Sequence, residues 1–93
     1  MTVGVLKVTL RLFGIKSLKE KRSVIKHLIS QISNKYNVSI IESDNQNSKV
    51  WASIAVALIR NSKDQVEQTM DSLVDLLEER MGMEISSEER EVY

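Results

Sequence analysis

The stretch Leu6-Lys7-Val8-Thr9-Leu10-Arg11-Leu12-Phe13-Gly14-Ile15-Lys16-Ser17-Leu18-Lys19-Glu20-Lys21-Arg22-Ser23-Val24-Ile25 changes its hydrophobic period halfway along. Leu6, Val8, Leu10 and Leu12 alternate with Lys7, Thr9 and Arg11, which is the pattern of a strand with one buried face. Gly14 ends that run. Ser17-Leu18-Lys19-Glu20 then matches a capping box: the Ser17 hydroxyl accepts from the N–H of residue 20, and the Glu20 carboxylate accepts from the Ser17 N–H. Beyond it Leu18, Lys21, Val24, Ile25, Leu28, Ile29 and Ile32 fall three and four apart, with Tyr36 one turn on. This spacing predicts a helix over 18–35, with the Lys21 stem at the margin of its apolar stripe. Asn34 or Asn37 is placed to stop it, because Asn tolerates the left-handed backbone.

The second half repeats the plan. Val38 to Ser43 is short and β-branched, and Asp44-Asn45-Gln46-Asn47-Ser48 is a concentrated turn signal. Lys49 to Arg60 follows as a long strand, apolar on both parities, which suits a central position. Ser62-Lys63-Asp64-Gln65 is another capping box, and Val66, Met70, Leu73, Val74, Leu77 and Met81 form the next helical stripe up to Gly82. Met83 to Tyr93 mixes apolar and charged residues and reads as an edge strand, since charge protects an edge. The order β-α-β-β-α-β is the split-βαβ, ferredoxin-like pattern. We expect a single α+β domain over 1–93: a four-stranded antiparallel sheet ordered 4-1-3-2, with both helices on one face and the other face open.

Composition bounds the chemistry. No cysteine occurs, which removes disulfides and thiolate metal sites and suits a reducing, cytoplasmic setting. His27 is the only histidine, so multi-histidine zinc sites are excluded. The N-terminus, Met1-Thr2-Val3-Gly4-Val5-Leu6-Lys7, lacks the features of a signal peptide, and no apolar run is long enough to span a bilayer. The 13 Lys and Arg balance the 13 Asp and Glu, but unevenly. Residues 1–62 hold ten basic and three acidic side chains, a balance of +7; residues 63–93 hold three basic and ten acidic, a balance of −7.

Four segments, Met1-Thr2-Val3-Gly4-Val5, Ser17-Leu18-Lys19-Glu20-Lys21-Arg22, Asn37-Val38-Ser39 and Glu88-Glu89-Arg90-Glu91-Val92, resemble the YlxP-like family of small bacterial proteins of undefined function. The resemblance extends over essentially the whole chain. It implies a ferredoxin-like fold. Members are often encoded beside translation-initiation and ribosome-binding factors, which implies a role near the small ribosomal subunit. The family supplies no catalytic residues to carry over.

The residues themselves offer little to an enzyme. Glu67, Asp71 and Asp75 lie four apart, as carboxylates on any solvated helix face do, and no glycine-rich phosphate loop occurs. We expect no catalytic or metal site and no cofactor. The basic residues are more informative. Lys16, Lys19, Lys21, Arg22 and Lys26 crowd the start of the first helix, where the macrodipole disfavours cations. That local cost points to contact with phosphates, and so to a non-enzymatic RNA- or ribosome-associated domain acting in small-subunit maturation or translation. Lys7 and Arg11 on the open sheet face extend the basic surface, with Trp51 as a ring on which a base can stack. The alternative is a homodimeric interaction module without nucleic acid, in which the half-apolar open face, with Val5, Trp51 and Ala55, meets a second copy.

Overall fold

Alternation in the first ten residues and helical spacing in the next eighteen produce the elements they predict. The computed structural model describes residues 1–93. Strand β1 (Thr2–Arg11) leads to helix α1 (Leu18–Lys35), strands β2 (Ser39–Asp44) and β3 (Trp51–Arg60), helix α2 (Lys63–Asp75) and strand β4 (Glu84–Val92). The sheet is antiparallel in the order β2-β3-β1-β4, so β1 and β3 are central. Both helices cover one face. Leu6, Val8 and Leu10 of β1 and Ala52, Ile54, Val56 and Leu58 of β3 meet Ile25, Leu28 and Ile32 of α1 and Val66, Met70 and Leu73 of α2 in one core. No helix is long and apolar enough to cross a membrane.

The caps differ from expectation in one detail. Ser17 Oγ accepts from the Glu20 N–H at 3.1 Å, and Ser62 Oγ accepts from the Gln65 N–H at 3.2 Å. The reciprocal bonds close one residue earlier than a capping box: Glu20 accepts from the Lys16 N–H and Gln65 from the Asn61 N–H. Each helix thereby also ties down its incoming loop. Neither Asn34 nor Asn37 stops α1. Its last N–H, on Tyr36, donates to Ile32 at 2.8 Å while Tyr36 itself is extended, so the chain runs directly toward β2.

The end of α2 departs further from a regular helix. Leu76–Arg80 forms a π-helical turn, and the Met81 N–H donates to the Leu76 carbonyl at 2.9 Å. The extra residue in this turn lets the adjacent Leu76 and Leu77 both be buried, which a regular helix face rarely allows. Gly82 then takes a left-handed φ of 63° and reverses the chain into β4.

Lys21 is the main correction to the sequence reading. Its side chain is fully buried, and Nζ lies 2.9 Å from Glu42 Oε2 on β2. It is therefore withdrawn from the phosphate-binding surface and serves instead as a strut between α1 and the β2–β3 hairpin. The opposite charges of the two halves also do not pair the helices with each other. Two ion pairs run from helix to sheet, Lys21–Glu42 and Asp71 of α2 with Arg90 of β4, and Arg90 also pairs with Glu88 along its own strand. Burial alone would lower the Arg90 pKa; its hydrogen bonds to Asp71 and Glu88 outweigh that and hold it above the usual guanidinium value.

Candidate nucleic-acid interface

Antiparallel register determines what shares the open face. Arg11 of β1 stands opposite Trp51 of β3, Thr9 opposite Ser53, Lys7 opposite Ala55, Val5 opposite Ala57 and Val3 opposite Ile59. The ladder continues one step beyond β1, where the Leu12 N–H donates to the Val50 carbonyl at 2.7 Å. Phe13 then emerges on the same face as Arg11. The Arg11 guanidinium lies 5.1 Å from the Phe13 ring centroid and 5.4 Å from that of Trp51, and it also donates to the Leu12 and Val50 carbonyls. Both rings remain exposed, Phe13 at 65% and Trp51 at 37%. A cation within about 6 Å of a ring centroid is attracted to the ring, so Arg11 links the two exposed aromatics.

Lys16, Lys19, Arg22 and Lys26 are all exposed on the loop and first turns of α1. They lie in the helix layer, whereas Arg11, Phe13 and Trp51 lie on the opposite sheet face. The short connection from Leu12 to Ser17 joins the two groups at one end of the molecule, and Lys49 stands there as well. Lys7 is exposed near the middle of the open face, opposite Glu89 of β4.

The far end of the open face has different chemistry. Val3, Val5, Ala57 and Ile59 lie there, with Tyr93 paired to Val3, while Ile41 of β2 stands nearer the middle, opposite Ala55; Ile41 and Ile59 are each 59% exposed. The Tyr93 hydroxyl donates to Glu91, and that hydrogen bond raises the Tyr93 pKa. Val5 is six residues from Arg11, about 20 Å along the strand. Trp51 and Val5, grouped on one interface by the sequence reading, thus occupy opposite ends of the sheet. Ala55 lies between them, opposite Lys7.

Two further features escaped the sequence reading. Phe13 is the first; extending the β1–β3 pairing by one residue pair finds it. The second is Asn45, at a left-handed φ of 62° in the hairpin loop. Its carbonyl accepts from Lys21 Nζ, and its side-chain amide donates to Ser53 Oγ at 2.7 Å. Ser53 lies 3.4 Å from Thr9 Oγ1. One loop residue thus connects the buried lysine on the helix side to the hydroxyls on the open side, and anchors the hairpin that carries Lys49 and Trp51.

Comparison with known proteins adds family and fold. Residues 3–90 match a family model described as a protein of unknown function, DUF503. The chain is 31% identical over 67 residues to the uncharacterized protein YlxP of Bacillus subtilis (strain 168), covering 72% of this chain and 73% of the relative. Among solved structures, the de novo designed protein Foldit4 aligns with a TM-score of 0.55 at 13% identity, over 98% of this chain and 96% of that one. This last likeness concerns the fold alone.

Proposed function

The chain belongs to the DUF503 family of proteins of unknown function, and we propose that it is a non-enzymatic RNA-binding domain that works at the small ribosomal subunit, in its maturation or in translation. The observation that carries this reading is the Arg11 guanidinium held between Phe13 and Trp51, at the end of the sheet where Lys16, Lys49 and the basic start of α1 converge. The exposed face of each ring takes an unpaired base, and the lysines with Arg22 take phosphates. Stacking on a ring requires a base free of its duplex, so the ligand is single-stranded. The family's occurrence beside translation factors supports the ribosomal setting and the bacterial cytoplasm, which the cysteine-free composition suits.

Anisotropy of a labelled single-stranded RNA, titrated across salt concentrations, tests this. Affinity should fall with salt at a slope near −0.7 per phosphate contacted. The Lys19/Arg22/Lys26→Glu variant should bind at least tenfold more weakly, with a shallower slope. Trp51→Ala should lose about 1–3 kcal/mol, roughly 5- to 150-fold, at an unchanged slope. A triple variant that binds as the wild type does overturns the proposal.

A second reading, homodimerisation without nucleic acid, is favoured by one observation: the exposed apolar side chains on the sheet away from Trp51, Ile59 and Tyr93 at the far end and Ile41 nearer the middle. It expects a dimer by light scattering at high micromolar concentration. Ile59→Lys should dissociate it and Trp51→Ala should leave it intact. A monomer at that concentration excludes it.

A further inference from the structure

A groove runs between α1 and the π-helical turn that ends α2, on the side of the molecule away from the open sheet face. Its volume is about 650 Å³, within the usual range of roughly 300–1,000 Å³ for ligand sites. One wall is a single ridge of α1: Ser23, His27, Gln31 and Lys35 recur every four residues along it. Three helical turns at 1.5 Å per residue make that wall about 18 Å long. The other wall is Leu76, Arg80 and Met81, brought together by the π-helical turn. Val24 and Met83 complete a floor that is only partly buried.

Two properties narrow the occupant. The rim carries the cations Lys35 and Arg80, with the His27 imidazole on the α1 ridge and no carboxylate among the residues that line it. Asp75 and Glu79 share a neighbouring depression with Lys35 and Arg80, yet pair with neither; the ion pairs of the molecule lie elsewhere. The floor, in contrast, is aliphatic and methionine-rich, a surface that adapts to apolar side chains and offers nothing to a phosphate. Cations beside an apolar floor match acidic groups flanking an apolar stripe. The α1 ridge suits a partner that packs helix against helix, with anchors three and four residues apart.

We propose that this groove docks an amphipathic helix of a partner protein, one with an apolar stripe bordered by Asp or Glu. The groove uses a different ridge of α1 from the one that carries Lys19, Arg22 and Lys26, and its occupant adds a protein contact to a domain that binds nucleic acid.

The test is an ¹⁵N-NMR titration of the full chain with two synthetic fourteen-residue helical peptides. Both carry the same leucine stripe; one is flanked by glutamate and the other by lysine. The glutamate peptide should shift the amides of His27, Gln31, Arg80 and Met81 saturably, and at least tenfold more tightly than the lysine peptide. The His27→Glu/Arg80→Glu variant changes only exposed residues and should keep its melting temperature while losing at least tenfold in peptide affinity. Trp51→Ala should leave peptide binding unchanged, which separates this site from the RNA surface. No saturable shift, equal affinity for the two peptides, or movement of the Arg80 and Met81 amides by single-stranded RNA in place of peptide overturns the proposal.

Discussion

Replacing Lys21 by alanine is expected to destabilise the fold by about 3–5 kcal/mol, the usual cost of leaving one member of a buried ion pair alone. A domain of this size is stable by roughly 0.05–0.15 kcal/mol per residue, so the loss is a large share of the whole. The cost is high because Glu42 Oε2 is buried and has no hydrogen-bond partner besides the Lys21 ammonium. The Asn45 carbonyl loses its partner in the same step. Urea denaturation measures the change, and the melting temperature should fall by about 12 °C or more. The Lys21→Met/Glu42→Leu double variant should recover most of the loss, since an apolar pair of similar volume replaces a buried ion pair at little cost. A Lys21→Ala loss below about 1 kcal/mol would show that water reaches Glu42 and that the strut is not structural.

The second large effect is expected at Gly4. A Cβ there would stand 2.4 Å from Val66 Cγ1 and 2.7 Å from Met70 Cε, both on α2. Met70 can swing its end aside, but Val66 is fully buried and branched at Cβ, so its side chain is stiff. The helix must lift off β1 to admit even a methyl group. Gly4→Ala is therefore expected to cost about 1–3 kcal/mol, and Gly4→Val to lie at or above the top of that range. Overpacking wins here over the strand propensity that either residue would add, which is at most about 1 kcal/mol. The Gly4→Ala/Val66→Ala double variant should be more stable than the sum of its single losses, because removing the Val66 Cγ1 and Cγ2 methyls from α2 makes room for the methyl added to β1. A Gly4→Ala variant as stable as the wild type would mean that α2 does not sit this close.

These two sites also show where the sequence was legible. Alternation in β1 and the three-and-four spacing in α1 could be read because each element buries one face, and the order of six elements then leaves few topologies. Lys21 could not be read in this way. A lysine beside an apolar stripe usually extends to water, and its partner Glu42 is distant in sequence on a short strand of weak alternation. The close approach at Gly4 needs the height of α2 above the sheet, which no periodicity encodes. The π-helical turn left one trace, the adjacent Leu76 and Leu77, since a regular stripe has room for only one of them. For the RNA surface, the exposed cations were visible residue by residue. Their division between two layers, and the meeting of Arg11 with Phe13, depend on register and become visible only once β1 and β3 are paired.

The two borders of the sheet decide how this molecule can join others. β4 lies at one border and carries Glu84, Glu88, Glu89, Arg90 and Glu91 within nine residues. β2 lies at the other; it is six residues long, and its pairing with β3 is interrupted between Glu42 and Asp44. Charge disfavours the addition of a further strand at one border, and brevity with a bulge disfavours it at the other. Growth by sheet extension, including fibril formation, is therefore suppressed on both sides. Association is directed to the two broad surfaces, where it can saturate, and the chain can expose isoleucine and aromatic side chains on an uncovered sheet without becoming a seed for its own aggregation.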